Sequence, residues 1–238
     1  MDAFDQLIRK LNGFARLSRD DQAALRSLPS RVKTVSSHHF LMRDGDVASD
    51  CCVLVKGYAC RHKTACDGGR QIVSFHMAGD ILNLEHLLLS HADHNVQTIT
   101  EATIALIPID HLRRIAQGRT AVNEALWRDT LVDASIFREW VLNVGRRGAK
   151  SRIAHMLCEF AVRREAAGLG SPEQFDLPMT QEQIADATGL TAVHVNRMLK
   201  ELARDGFIIR DKRKVMIVDW RRMCQFADFD GSYLQAIA

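Results

Sequence analysis

The residues best suited to chemistry lie between Thr180 and Ile209, in two helical segments joined by a glycine turn. Thr180 is a good helix N-cap, and Gln183 three residues later completes a capping box. Gly189 can adopt the backbone that a tight turn needs, and Thr191 then caps the second helix. This order of short helix, turn and amphipathic helix predicts a helix-turn-helix.

The second of these helices has an apolar face, with Val195, Leu199 and Leu202 spaced to turn inward. The major groove of DNA admits one α-helix, and the N-terminal side chains of that helix meet base edges. Arg197 is the first candidate for a base contact, because a guanidinium can bond O6 and N7 of guanine together. Asn196 could pair with adenine or with a phosphate. The other candidates for contact with DNA around this motif are Thr180, Thr191, Val193, His194 and Lys200.

A predicted β-hairpin follows, formed by residues 207–210 and 215–218 around a basic turn. Lys212, Arg213 and Lys214 suit phosphates, which position a protein on DNA without specifying sequence. The alternative interpretation is a solvated turn. Beside a helix-turn-helix we favour a DNA-contacting wing, since phosphate contacts dominate affinity for DNA.

Composition agrees with this interpretation and limits the alternatives. The 238 residues are 47% hydrophobic and 26% charged, as in soluble globular proteins, with a formal net charge of +3. Between residues 190 and 222, nine Lys and Arg stand against four Asp and Glu, a basic excess typical of proteins with a polyanionic partner. No apolar run reaches the roughly 18 residues of a membrane span, and the first ten residues do not resemble a secretory signal. We therefore expect a cytoplasmic protein with no membrane partner.

The elements before the helix-turn-helix change from strands to helices. Residues 32–109 alternate short β-type runs with turn signals, which predicts a sandwich or barrel. Residues 120–144 contain neither proline nor glycine and predict one helix about 38 Å long. A stripe at spacings of three and four on this helix is typical of a coiled-coil seam. We favour a dimer seam over packing within one domain, because the helix is long. The seam residues are Leu126, Thr130, Ala134, Phe137, Val141 and Val144.

Three segments resemble the Crp–Fnr family of regulators: residues 180–185, residues 195–202 and the shorter Gly79-Asp80-Ile81. The resemblance covers nearly the whole chain. It implies an α+β fold with an N-terminal cyclic-nucleotide-binding-type β-barrel (jelly roll), a long dimerisation helix and a C-terminal winged helix-turn-helix. We place these at residues 1–119, 120–145 and 146–238, with a hinge between Gly145 and Gly148. The resemblance also implies a homodimer on a palindromic operator of double-stranded DNA, and contact with RNA polymerase.

Departures from the family pattern concern cofactors and the operator. Leu84 and His94-Asn95 stand where cyclic-AMP-binding members carry a glutamate and an Arg-Ser/Thr pair, and Phe137-Arg138 stands near the place of their Thr-Ser pair. Residues 1–50 hold no cysteine for an iron–sulfur cluster. We therefore expect no cofactor, neither cyclic AMP nor a cluster, as in the FixK-like branch. The glutamate that many members place before the arginine of the recognition helix is absent, so the operator sequence stays open.

Histidines and cysteines offer weaker candidates. We interpret His86, His91 and His94 as surface histidines of a loop and expect no metal site. Cys60 and Cys66 lie in the predicted hairpin whose turn is at residues 67–69, and they might meet. They are the candidates for a redox pair because a basic neighbourhood, here His62 and Lys63, can lower a thiol pKa.

The sequence as a whole predicts a homodimeric, sequence-specific DNA-binding transcription regulator whose signal is unidentified and could be redox or oxygen related. The alternative is a small-molecule or redox-sensing module whose helix-turn-helix serves protein contact rather than DNA. A third alternative is an enzyme regulatory subunit, because the same β-barrel occurs in kinases. We rank it last because no catalytic partner domain is present. No nucleophile elbow, phosphate-binding glycine loop or zinc-protease motif is present, so we expect no enzymatic activity.

Overall fold

A computed structural model describes residues 3–235, which cluster into two compact units. The first unit holds residues 3–63 and 75–134, and the second holds residues 64–74 and 135–234. The first half of the long helix clusters with the β-rich unit, and the predicted domain boundaries at 119/120 and 145/146 stay predictions. None of the helices in the described residues is both long and apolar enough to cross a bilayer.

Seven strands lie between residues 31 and 108, and they belong to the first unit except for the fifth, most of which lies in residues 64–74. In chain order they are β1 (Arg31–Val35), β2 (Phe40–Met42), β3 (Asp50–Lys56), β4 (Ala59–Thr64), β5 (Arg70–His76), β6 (Asn95–Thr98) and β7 (Ala102–Pro108). They form two sheets with the orders β1-β7-β3 and β2-β6-β4-β5. Pairs β1–β7, β3–β7, β2–β6 and β4–β6 are antiparallel. Apolar side chains from both sheets share one core, which includes Leu54 and Val96.

Helices complete the first unit and continue into the second. They are α1 (Asp5–Asn12), α2 (Arg19–Arg26), α3 (Ile109–Gly118) and α4 (Thr120–Arg146). A short 3-10 helix spans Leu84–Leu87. The predicted helix at 120–144 is confirmed and extends through Gly145. That residue was expected at a hinge, and the helix ends only at Arg146.

The Gly79-Asp80 turn has a packing reason for its glycine. Gly79 has φ +98°, and a Cβ atom there would lie 2.8 Å from the carbonyl oxygen of Gln6 on α1. The carboxylate of Asp80 accepts a hydrogen bond from the backbone N–H of Met77 at 3.1 Å and lies 3.2 Å from Nδ1 of His76. The turn is therefore shaped to bring Asp80 under the N-terminal helix.

A buried ion-pair cluster, Lys10–Asp80–Asp129, joins α1, this turn and α4. Lys10 Nζ lies 2.8 Å from Asp80 Oδ1 and 2.7 Å from Asp129 Oδ1. The two carboxylate side chains are only 6% and 10% exposed. Burial by itself would lower the pKa of Lys10, but Asp129 and Asp80 together raise it above its ordinary value. The lysine is thus charged at neutral pH and compensates two buried carboxylates.

The second unit is a compact helical domain with a small sheet. Its elements are α5 (Ala149–Ala166), β8 (Gln174–Asp176), α6 (Gln181–Thr188), α7 (Ala192–Arg204), β9 (Ile208–Asp211), β10 (Lys214–Ile217), α8 (Trp220–Ala227) and a 3-10 helix, Gly231–Leu234. The sheet has the order β8-β10-β9, and both pairs are antiparallel. With the β-rich first unit and the long helix, this confirms the predicted α+β fold class with a C-terminal winged helix-turn-helix.

A buried polar network fixes the end of α4 to α5 within this unit. Trp140 Nε1 donates to the carboxylate of Glu159 at 3.1 and 3.0 Å, and the Tyr233 hydroxyl donates to the same carboxylate at 2.7 Å. Burial raises the pKa of Glu159. Burial lowers the pKa of His155, whose Nε2 lies 3.3 Å from the Tyr233 hydroxyl, to about 4. His155 is therefore neutral at physiological pH, and the network holds α5, on which the helix-turn-helix packs.

Candidate nucleic-acid interface

Two capped helices build the helix-turn-helix as the sequence predicts. Thr180 Oγ1 accepts the backbone N–H of Gln183 at 3.2 Å, and Gln183 Oε1 accepts the N–H of Thr180 at 2.9 Å. Gly189 ends α6 with φ +64°, the left-handed conformation that favours glycine. Thr191 Oγ1 then accepts the N–H of His194 at 3.2 Å and starts α7. Local hydrogen bonds therefore fix the direction of α7 relative to α6.

The helix α7 divides into a buried face and an exposed face. Its buried residues are Val195, Met198, Leu199 and Leu202. The opposite face carries Arg197 and Lys200, both exposed, and Val193, whose side chain is 82% exposed. An apolar residue so exposed on a helix beside basic side chains suits contact with a base methyl group. This face has the composition that reading a major groove requires.

Arg197 and Asn196 lie next to each other but have different surroundings. Within residues 3–235, no hydrogen bond or ion pair engages the guanidinium of Arg197. Asn196 is half-buried, and its Nδ2 donates to Oε1 of Gln181 on α6 at 3.1 Å. Gln181 was not among the predicted residues, although its place directly after the capping Thr180 could have indicated it. Arg197 is thus available to a ligand, whereas Asn196 already helps to join the two helices.

The predicted wing is the hairpin of β9 and β10. Asp211 pairs with Lys214, so Lys212 and Arg213 form the turn, and all three basic residues are exposed. Lys212 has φ +52°, a conformation that costs a residue with a side chain about 1 kcal/mol relative to glycine. The three basic side chains suit phosphate contacts.

Other basic side chains of the second unit are engaged in packing. The Arg222 guanidinium lies 4.4 Å from the ring centre of Phe207 and donates to the carbonyl oxygen of Asp205 at 3.1 Å. Lys150 pairs with the carboxylate of Asp205. The number of basic residues in the sequence therefore overstates the positive charge that is available to a polyanion. The available charge lies on the exposed side chains of α7 and the wing.

A second exposed feature is an apolar stripe along α4. Phe137 is 50% and Val141 is 61% exposed, and Thr130 and Ala134 are exposed as well. Leu126, by contrast, is 4% exposed because it belongs to the inner face of the helix, so it is not available to a partner. Val144 is half-buried. Exposed side chains that were not predicted for the seam are Trp127, Leu131 and Leu142.

The two cysteines of the predicted redox pair differ in their exposure to solvent. Cys60 is buried near the start of β4, whereas Cys66 is exposed in the turn beyond the end of that strand. Their separate roles as thiols stay predictions.

The expectation of surface histidines is wrong for two of the three. His86 and His94 are buried, whereas His91 is exposed. The local sequence is polar enough for a loop, but the 3-10 helix at Leu84–Leu87 turns His86 inward. Among the described residues, no group of three or more His, Cys, Asp or Glu side chains is arranged to hold a metal ion.

Comparisons with known proteins match both parts of the chain. A Crp-like helix-turn-helix domain model matches residues 151–226, and a cyclic nucleotide-binding domain model matches residues 32–119. The nitrogen fixation regulation protein FixK of Rhizobium meliloti is 30% identical over 193 residues, which cover 80% of this chain and 84% of the relative. The transcriptional activator protein FnrL of Cereibacter sphaeroides is 29% identical over 223 residues, 91% of this chain and 89% of the relative.

The solved structure of FixK2 from Bradyrhizobium japonicum shares the fold, with a TM-score of 0.76 at 24% identity over 84% of this chain and 98% of that one. The sequence matches extend over both units and include the capped helices, α7 and the wing described above. The chain therefore belongs to the Crp–Fnr family of DNA-binding transcription regulators.

Proposed function

We propose that the protein is a homodimer that binds a palindromic operator through α7 of each copy and contacts RNA polymerase, with no catalytic activity of its own. The observation that carries this proposal is the exposed face of α7, on which the Arg197 guanidinium has no partner within residues 3–235. Two-fold symmetry would place the two half-sites about 34 Å apart, one turn of DNA. Contact with RNA polymerase rests on family membership.

The experiment that tests the proposal is selection of random duplex DNA by the purified full chain, read by sequencing. We expect an enriched palindrome whose half-site centres are about one helical turn apart. Enrichment of a single half-site without symmetry would contradict the dimer. No enrichment together with no salt-sensitive nonspecific affinity would contradict DNA binding itself.

The apolar stripe on α4 supports a second copy of the chain as partner. Phe137 and Val141 lie four residues apart and therefore on one face of the helix, as in a two-stranded seam. When a partner covers large apolar side chains that are half exposed in one chain, their burial stabilises the complex by about 25 cal/mol per Å² of apolar surface. We propose that the seam consists of Thr130, Ala134, Phe137 and Val141, flanked by Trp127 and Leu131.

A Phe137→Glu variant is expected to sediment as a monomer at concentrations where the unaltered protein is a dimer. Near a two-fold axis the substitution would bury two like charges against apolar neighbours, which is costly. The matched control is Val47→Glu, which changes an even more exposed apolar residue outside α4 and should leave the dimer intact. Sedimentation velocity over a concentration series makes the measurement. A dimer that survives Phe137→Glu unchanged would place the interface elsewhere.

We propose that the signal is not cyclic AMP. Leu84 offers no acceptor for a ribose hydroxyl. Nδ1 of His94 lies 2.6 Å from Asp93 Oδ1, and its Nε2 lies 3.4 Å from Glu85 Oε1. Burial lowers the pKa of His94. A neutral imidazole between two carboxylates is a poor clamp for a cyclic phosphate, so the residues present do not fit the nucleotide.

An iron–sulfur cluster also does not fit the cysteines of the β-rich unit. Burial raises the pKa of Cys51 and of Cys52 to about 12. Cluster ligands are thiolates, and these two side chains are thiols at neutral pH inside a packed sheet. We propose that the protein responds to a redox or oxygen-related signal without a resident cofactor.

A further inference from the structure

Two cysteine side chains of the second unit are in contact. Cys158 lies on α5 and is fully buried, and Cys224 lies on α8, which packs against α5. Their thiols lie near enough to each other to interact, and both are free cysteines. Because the residues are far apart in sequence, nothing in their spacing predicts this pair.

The two thiols differ in access. Cys224 is half-buried and lines a shallow surface depression of about 440 Å³, whose wall also includes Trp220, Gln225 and Phe229. Small solutes in that depression can reach Cys224, whereas Cys158 lies behind it with no exposed surface. An oxidant must therefore react first with Cys224, and the neighbouring Cys158 thiol can react next.

The same contact gives the two thiols different pKa values and therefore different reactivities. The interaction with Cys158 lowers the pKa of Cys224, against the opposing effect of burial. That interaction and burial together raise the pKa of Cys158. Since the thiolate is the nucleophilic form, Cys224 is the attacking group and Cys158 the resolving one.

We propose that Cys158 and Cys224 are a reversible oxidation site that accepts a small peroxide and closes to a disulfide. The Cys224 thiolate attacks one peroxide oxygen, the O–O bond breaks, and hydroxide leaves and takes up a proton. Cys224 is then a sulfenic acid. The Cys158 sulfur attacks the Cys224 sulfur, loses its proton, and the sulfenic oxygen leaves as water. In sum, two thiols and one hydrogen peroxide give one disulfide and two waters.

The disulfide would tie α5 to α8 across the whole helix-turn-helix. The loop it closes contains α6, α7 and the wing, and α5 also packs against α7. Cross-linking across a long loop stabilises the folded state chiefly by restricting the unfolded chain. We therefore expect the oxidised second unit to unfold at a higher temperature, by about 4 °C or more.

The test uses the reduced full chain, treated with hydrogen peroxide, blocked with iodoacetamide in denaturant and digested without reductant. Mass spectrometry is expected to find one peptide pair that joins Cys158 to Cys224, lighter by two hydrogen atoms than the separate peptides, and dithiothreitol should release it. The Cys66→Ser variant is the matched control, since it removes an exposed thiol and should leave the link unchanged. Cys158→Ala should halt oxidation at a Cys224 sulfenic acid that dimedone traps.

Recovery of Cys158 and Cys224 both alkylated, with oxidation confined to Cys66, would overturn the proposal. So would a disulfide that joins Cys224 to a second chain. The site is a property of the folded second unit, so the mass readout is independent of DNA binding. Failure here would leave the proposed regulatory function standing, and failure of the DNA selection would leave this site standing.

Discussion

Replacement of Arg197 by alanine is expected to weaken binding to the selected operator by about 30-fold or more. A bidentate arginine–guanine contact contributes about 1–3 kcal/mol of discrimination, and a homodimer on a palindrome loses two such contacts. The exposed guanidinium has no partner within residues 3–235, so the substitution leaves the buried face of α7 untouched. Fluorescence anisotropy titration against the operator, and against a version altered at the contacted base pair, measures both affinity and specificity.

The expected signature of Arg197→Ala is a loss of specificity at one base pair of each half-site. Lys212→Ala on the wing should instead weaken binding to all sequences alike and reduce the salt dependence by about one phosphate contact per copy. Arg114→Ala, which removes an exposed arginine from α3, is the matched control and should change neither quantity. If Arg197→Ala binds the operator within twofold of the unaltered protein, Arg197 is not a base-reading residue.

Replacement of Lys10 by methionine is expected to destabilise the first unit by about 3–5 kcal/mol. Removal of one partner from a buried ion cluster leaves an uncompensated buried charge, which costs more than the pair itself contributes. Here two carboxylates, Asp80 and Asp129, are left with little exposure to water. Urea unfolding followed by circular dichroism measures the loss. Lys56→Met is the control because Lys56 is exposed at the end of β3.

The loss of folding stability caused by Lys10→Met should become smaller as the pH falls. Burial already raises the pKa of Asp129 in the folded protein, and the loss of the lysine raises it further. A carboxyl group whose pKa is higher in the folded state binds more protons there, so lowering the pH toward about 4 favours the folded variant. A second substitution, Asp129→Asn, should recover part of the lost stability at neutral pH. An equal deficit at every pH would mean that Lys10 contributes through packing of its aliphatic stem.

Local signals made the helix-turn-helix predictable from the sequence. The capping box of Thr180 and Gln183, the left-handed Gly189 and the cap of Thr191 each act within a few residues, so no knowledge of distant contacts is needed. The long helix was also predictable, because propensity and the lack of proline and glycine over 25 residues leave few alternatives.

The faces of that helix were not predictable to the same degree. Stripes through Leu126 and through Trp127 both follow spacings of three and four, and only the packing of the rest of the chain shows which one is covered. Distant pairings were missed for the same reason. Nothing near Lys10 in the sequence indicates Asp129, and nothing near Cys158 indicates Cys224.

The Lys10–Asp80–Asp129 cluster also constrains how the chain can mature on the ribosome. The helix α1 is synthesised before its partners, because one of the carboxylates lies 70 residues downstream and the other lies on α4. At about 5–20 residues per second, roughly 6 to 24 seconds pass before residue 129 has been added. During that interval the apolar side of α1, with Leu7, Ile8 and Leu11, has no completed docking surface. Docking of α1 at this cluster can therefore be completed only after residue 129 has been added.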